Sequence, residues 1–265
     1  MAIISGVGVE VDGVSSLSAW KINQRAMPAE FATSDAPGGQ ARACGNTDWQ
    51  GIYRAYGHTP AHWPGDSIAF KGDVDSNYGV SGTGIVKSIT IETPVEENGL
   101  ISSVVEFEAN GALTAGSAAA TKGSSPAIYC AVSRKINWDG SDVNIRHWRL
   151  KIFCKNRPYA DTSTGGLVKR VKGVLDARFD YSLYDNNASN FPTLNSTAIA
   201  QFYVDATEYW ELTWGKITDI DNYGGDHEGQ VNVGATIRGA WTAQDGTSIG
   251  TIKNPGTPSG TTKWP

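Results

Sequence analysis

The sequence predicts an all-β protein of mainly antiparallel strands, organised as two similar β-sandwich or barrel units in one chain. Composition is the first ground. Thirty-one glycines and nine tryptophans against two methionines, with charged residues at only 18%, suit strands better than a helix bundle. Second, short Val, Ile, Thr and Tyr runs alternate with polar residues at period two. Third, one series of landmarks runs through the chain twice in the same order.

The 265 residues suffice for two units, each burying its own core. Unit one is assigned to residues 1–122 and unit two to residues 123–265. The first opens "VDGVSSLSAW" (Val11 to Trp20) and the second "WDGSDVNIRHW" (Trp138 to Trp148). Each is an Asp-Gly turn followed by a Trp-centred strand, and Asp-Gly between β-patterned runs signals a hairpin. Thr33-Ser34 with Gly38-Gly39 match Thr162-Ser163 with Gly165-Gly166, and "WQGIYRAYG" from Trp49 matches "VKGVLDARFDY" from Val171. The units close on "TGIVKSITIETPVEENGLISSVVEFEANGALT" (Thr83 to Thr114) and "WGKITDIDNYGGDHEGQVNVGATIRGAWT" (Trp214 to Thr242). Between them "LTAGSAAATKGSSP", Leu113 to Pro126, has the composition of a flexible connector, with the boundary near Gly123.

Several strands are legible residue by residue. "WRLKIFCK" sets Trp148, Leu150, Ile152 and Cys154 against Arg149, Lys151 and Lys155, with Phe153 the exception. From Leu167 to Leu183 the odd positions are mostly apolar and the even ones include Arg170, Lys172, Asp176, Arg178 and Asp180. That reads as one long strand, or two joined through Gly173, with one wet face. In "QVNVGATIRGAW", Val231, Val233, Ala235, Ile237 and Trp241 oppose Gln230, Asn232, Thr236 and Arg238. Trp20, Trp148 and Trp241 are read as core residues rather than a sugar platform. The best candidate for a short helix is "PTLNSTAIAQFY" from Pro192.

A formal net charge of -5 argues against a protein whose main task is gripping phosphate backbones. The charge is uneven: residues 1–122 hold seven basic and 13 acidic side chains, residues 123–265 hold 15 and 14. The basic excess gathers in Arg146, Arg149, Lys151, Lys155, Arg157, Lys169, Arg170 and Lys172. It reads as a solvated β face, or as one side of a head-to-tail contact between unlike units. No stretch reaches the roughly 20 apolar residues of a membrane span, and "MAIISGVGVEVDG" does not read as a signal peptide. Cys44, Cys130 and Cys154 are odd in number and far apart, so buried free thiols are expected rather than disulfides. The sequons at Asn187 and Asn195 matter only in a secreted eukaryotic protein, which nothing else in the sequence supports.

Catalytic chemistry has no clear carrier. His58 and His62 are four apart but embedded among prolines, so they read as loop or rim histidines rather than a metal pair. Asp73 to Gly79 and Asp219 to Gly229 echo the start of a calcium loop, yet the twelfth positions are Gly84 and Gln230, not the bidentate Glu required. Glu96-Glu97 lie in a turn. Asp176 and Asp180 share a strand face that keeps a glycosidase-like pair conceivable, but Arg178 lies between them. Motifs of hydrolases, zinc proteases and nucleotide-binding loops are missing. No catalytic, cofactor-binding or metal residue is assigned, and no enzyme is expected.

The Gly-rich N-terminus, the "VDG" turn, the "W-x-I" strand, the "WQG" strand, the Gly84–Thr114 hairpin and "GTIKNPG" (Gly250 to Gly256) together resemble phage major tail tube proteins. The resemblance implies a β-sandwich or barrel with a short helix, six units to a ring, and rings stacked into a hollow tube. Two units per chain then imply a trimer with pseudo-sixfold symmetry. Its partners would be the tape measure, terminator and distal tail or hub proteins. Double-stranded DNA would pass non-specifically through the lumen, with negative charge facing it, and no membrane would be involved. The protein would be made in the bacterial cytoplasm and reside in the virion. A baseplate hub ring, a capsid decoration or cement protein, and a carbohydrate-binding adhesin are the alternative readings.

Overall fold

The computed structural model describes residues 2–4, 8–12, 17–31, 41–57, 61–93, 100–117, 119–120, 135–145, 147–184, 192–204, 209–225, 231–239 and 252–253. The first half contains β1 (Ala2–Ile4), β2 (Gly8–Val11), β3 (Leu17–Phe31), β4 (Ala41–Tyr56), β5 (Ser67–Asp73), β6 (Tyr78–Glu92) and β7 (Ser102–Ser117). The second contains β8 (Lys135–Trp138), β9 (Ser141–Asn144), β10 (His147–Cys154), β11 (Arg157–Tyr159), β12 (Lys169–Val171), β13 (Leu175–Tyr184), β14 (Thr197–Tyr203), β15 (Tyr209–Gly225), β16 (Val231–Gly239) and β17 (Ile252–Lys253). The protein is all-β; among the described residues every pairing between these strands is antiparallel, the bridge Thr47–Leu167 is parallel, and there is a single 3-10 turn, Thr162–Thr164.

Among the described residues fifteen strands form one sheet, and its order is the same in both halves. The first runs β3-β4-β7-β6-β5-β2 and the second β10-β13-β16-β15-β14-β8, with β6 hydrogen-bonded to β10 where they meet. The register agrees as well. Trp20 faces Tyr53 as Trp148 faces Tyr181, and both β6·β7 and β15·β16 bulge one residue after a matched position, Val86 and Ile217. Loop hydrogen bonds repeat too. Gly65 donates to Val86 O and Val86 to Asp66 O, while Asn195 donates to Ile217 O and Ile217 to Ser196 O. Asp12 and Asp139 take left-handed φ of 47° and 50° at the two Asp-Gly turns, where a short polar side chain is tolerated. Their amides donate to Ala69 O and Ile199 O.

Each run curls around its own aromatic cluster, because strands far apart in the order touch across the interior. Trp20 meets Phe70 edge-on at 5.5 Å, and Phe179 stacks on Phe202 at 4.0 Å. Trp148, Phe179, Phe202, Phe70 and Phe107 are among the fully buried side chains. Each such side chain contributes about 1.5–3 kcal/mol relative to exposure. The cores merge into one cluster, and Trp63 stacks on Trp210 at 6.2 Å across the halves.

The structure corrects four readings. The helix candidate from Pro192 is strand β14: Ala198, Ala200 and Phe202 alternate inward, and Asn195 at φ 65° turns the chain into it. Leu113–Ser117 belong to β7 and pair with Tyr78–Gly82, so the connector composition begins inside a strand whose end is exposed. The run from Leu167 is two strands parted at Gly173, the second of its two readings, but the single wet face fails, with Val171 half exposed and Arg170 buried. The chain is pinched between them because Gly173 sits against Lys155 O, where a Cβ would lie 1.7 Å away. Finally, Phe179 rather than Gly173 occupies the place of Gly51, facing Ile237 as Gly51 faces Phe107. Trp148, Leu150, Ile152 and Cys154 are buried as their alternation predicts. The Cys154 thiol is free and burial pushes its pKa up.

Candidate assembly edges and the charged sheet face

β6 serves two neighbours along one edge. Its first part, Gly79 to Ile85, pairs with β5, and its last part, Ser88 to Glu92, pairs with β10, while β7 covers the opposite edge. Ile89 and Ile91 are buried opposite Ile152 and Leu150. Thr93 closes the seam: its amide and hydroxyl donate to Trp148 O at 3.1 Å, and its hydroxyl accepts from the Trp148 amide at 3.0 Å. The counterpart of β6 is β15. It pairs with β14 as far as Lys216, but from Asp219 to Gly225 it has only β16 beside it among the described residues. The counterpart of β10 is β3, whose outer edge carries, among the described residues, only the three-residue strand β1 at Ile22, Asn23 and Gln24.

The polar face of the shared sheet is charged but internally compensated. Arg149 Nε lies 2.7 Å from Glu92 Oε1, directly across the β6·β10 seam. Lys87 Nζ is 3.1 Å from Glu108, Arg178 Nε is 2.7 Å from Asp180, and Arg238 Nη1 is 3.4 Å from Asp176. Four cations stand side by side on neighbouring strands, Lys151, Arg178, Arg238 and Lys216, each directly opposite the next. Like charges so placed repel; the flanking Asp176 and Asp180 make the row tolerable. The glycosidase-like pair is therefore engaged by arginines, with Thr236 Oγ1 also donating to Asp180 at 2.7 Å.

A buried ion cluster ties the second half to the first. Arg170 on β12 donates through Nη1 to Asp48 Oδ1 at 3.0 Å and through Nη2 to Oδ2 at 2.9 Å. Its Nη1 also reaches Ala109 O at 2.7 Å, and its Nε lies 3.2 Å from Glu108. Arg25 adds a contact to Asp48 at 3.0 Å from the surface. Burial alone would push the Asp48 carboxyl up, but the hydrogen bonds from Arg170 and Arg25 outweigh it and hold the pKa below the ordinary range. Thr47 and Leu167 bridge alongside, Thr47 donating to Gly166 O and Val168 to Thr47 O.

His62 is not at the rim: it is buried, with Nδ1 2.8 Å from Tyr53 Oη and Nε2 3.1 Å from Asp12. Burial raises the Tyr53 pKa far above its usual value, with Asp12 and Asp66 adding to the shift. Asp73 accepts from the amides of Ala119 and Ala120, and Asp75 from those of Asn77 and Tyr78; both carboxylates serve the backbone. Asp219 accepts from the Thr218 hydroxyl. His58, Glu96, Glu97, Cys130, Asn187 and Trp241 lie outside the described residues, as does the side chain of Cys44. Sequence reasoning missed Asp48, Arg170 and Glu108 as a unit. The available signal was the apolar phase slip about Gly173, which turns Arg170 inward. No protein-family model matches the chain, and no curated protein matches it in sequence.

Proposed function

We propose that this chain is a structural virion protein: a phage tail tube subunit carrying two tube-type units by internal duplication. Copies join edge to edge into closed rings, three chains giving six units, and the rings stack around a channel for double-stranded DNA. The observation that carries the reading is the β6·β10 seam between halves of identical strand order. The counterparts of its two edges, β15 beyond Lys216 and the outer edge of β3, belong to opposite halves of the same chain. A repeat of the seam between chains leaves no such edge at closure, and closed sheets lose the aggregation hazard of open ones. The resemblance of the turn and tryptophan motifs to tail tube proteins supports the same reading. The compensated face of the shared sheet is assigned to the channel wall, where paired charges give passing phosphates little net attraction. The subunit has no enzymatic role and meets the other tail proteins at the ends of the stack.

Negative-stain images and sedimentation of the purified protein test this. Rings or short tubes with pseudo-sixfold symmetry and three chains per ring are expected. Free monomers at every concentration, or binding on a glycan array by a monomer, would overturn it.

A further inference from the structure

We infer that β1 is a placeholder on the very edge where a second copy of this chain docks, so that assembly exchanges one strand for another; this rests on the ring reading above. The register makes the argument. β4 faces β3 with Trp20 opposite Tyr53, and β13 faces β10 with Trp148 opposite Tyr181, so Ile22, Asn23 and Gln24 stand where Leu150, Lys151 and Ile152 stand. In the second half those three residues are held by Ile91, Thr90 and Ile89 of β6. In the first half the same three positions, on the same side of the strand, are held by Ile4, Ile3 and Ala2 of β1. Both guests run antiparallel to their host.

The incoming strand is also defined. Val86 and Ile217 are matched through their loop bonds and the bulge that follows, so Ile89 and Thr90 correspond to Ile220 and Asp221 of β15, beyond which β15 bulges again before Gly224. On that side these residues have no strand neighbour among the described residues. A second copy offering Asp219–Gly225 therefore brings the longer strand: β6 makes five paired positions on β10, whereas β1 makes three on β3. A strand held at only three paired positions opens locally at low cost, and strand addition to an exposed edge supplies main-chain hydrogen bonds to the newcomer. While β1 is seated the edge is blunted and the free subunit stays soluble. Docking happens only in the fraction with β1 released.

The test compares three full-length-derived proteins by sedimentation and negative stain over a concentration series: wild type, a truncation lacking residues 1–7, and the pinned variant Ile3→Cys with Asn23→Cys. The two pinned positions are direct cross-strand partners, at the Cα separation a disulfide spans. If the released state is populated at about 10% or less, removing β1 lowers the half-assembly concentration by about tenfold or more. The pinned protein stays unassembled when oxidised, with the engineered bridge verified by peptide mass spectrometry, and assembles on reduction. Equal half-assembly concentrations for wild type and truncation, both with native circular dichroism, would sink the placeholder role. So would rings formed by the oxidised pinned protein. Should the truncation misfold, the pinned protein decides alone, since it keeps every residue of the chain. If neither wild type nor the reduced variants ever form rings, the ring reading itself fails and takes this inference with it.

Discussion

Arg170 and Asp48 meet in a two-pronged contact, 3.0 and 2.9 Å, that binds residues 122 positions apart and locks β12 against β4 and β7. Both side chains are almost wholly buried, at 6% and 4% exposure. Truncating one partner therefore strands a charge. Arg170→Ala is expected to lower stability by about 3–5 kcal/mol in urea unfolding. Joint replacement, Asp48→Leu with Arg170→Leu, is expected to recover most of that loss, because Glu108 keeps Lys87 and Arg25 is already solvated. A double variant as unstable as Arg170→Ala alone would show that the cluster does more than compensate charge.

The same carboxylate sets an acid dependence. Asp48 has a folded-state pKa below its unfolded value, so in acid the unfolded chain binds the proton first. Its contribution is complete above the ordinary Asp range, about pH 4. It is lost as pH falls from there through the depressed folded value. Stability measured between pH 5 and pH 2 should decline less steeply in Asp48→Asn than in wild type. Parallel curves would mean that Asp48 does not carry the acid sensitivity.

Much of the architecture was legible because alternation survives wherever one face is wet: β10 follows it residue by residue, and in β16 Val233, Ala235 and Ile237 are buried as expected, although Thr236 on the opposite face is buried too. The repeated order of strands was legible at its turns, Asp12 and Asp139, and at the Trp20 and Trp148 strands. It was obscured in the core by an exchange of volumes. In the first half Gly51 faces Phe107, and on β5 Phe70 precedes Gly72; in the second Phe179 faces Ile237, and on β14 Ala200 precedes Phe202. The same interior space is filled from swapped positions, so position-by-position comparison of the sequences slips. Arg170 and His62 escaped for another reason. Their burial depends on partners, Asp48 and Tyr53, that no periodicity connects to them.

That exchange can be tested directly. A Cβ on Gly51 would lie 2.3 Å from Phe107 Cζ and 2.5 Å from Ile22 Cδ1, so Gly51→Phe alone must be overpacked. It is expected to cost at least the roughly 1–3 kcal/mol typical of overpacked cores. Moving the whole second-half arrangement across, Gly51→Phe with Phe107→Ile, Phe70→Ala and Gly72→Phe, should be less damaging than Gly51→Phe alone. The coupling should exceed about 1 kcal/mol, as for residues in mutual contact. Additive losses in thermal or urea melts would mean that the two cores are not built on one plan.

The last expectation concerns the charged face. Lys151, Arg178, Arg238 and Lys216 form an unbroken row of cations, and Asp176 and Asp180 lie beside it within 3.4 Å and 2.7 Å of Arg238 and Arg178. With those carboxylates present the face has little net pull on a polyanion. Asp176→Asn with Asp180→Asn removes the carboxylates beside Arg238 and Arg178, keeps Glu106 at 4.0 Å from Lys151, and adds two net positive charges. The variant is expected to retain double-stranded DNA at low salt where wild type does not. Its binding should weaken as salt rises, the logarithmic slope being steeper by about 0.9 for each phosphate newly neutralised. Removing both carboxylates also leaves the repulsion within the row less offset, so some loss of stability is expected, and circular dichroism verifies that the variant is folded under the binding conditions. Equal DNA retention by the two proteins at every salt concentration would show that the carboxylates do not hold this face neutral toward nucleic acid, and would remove the electrostatic support for placing it along the channel.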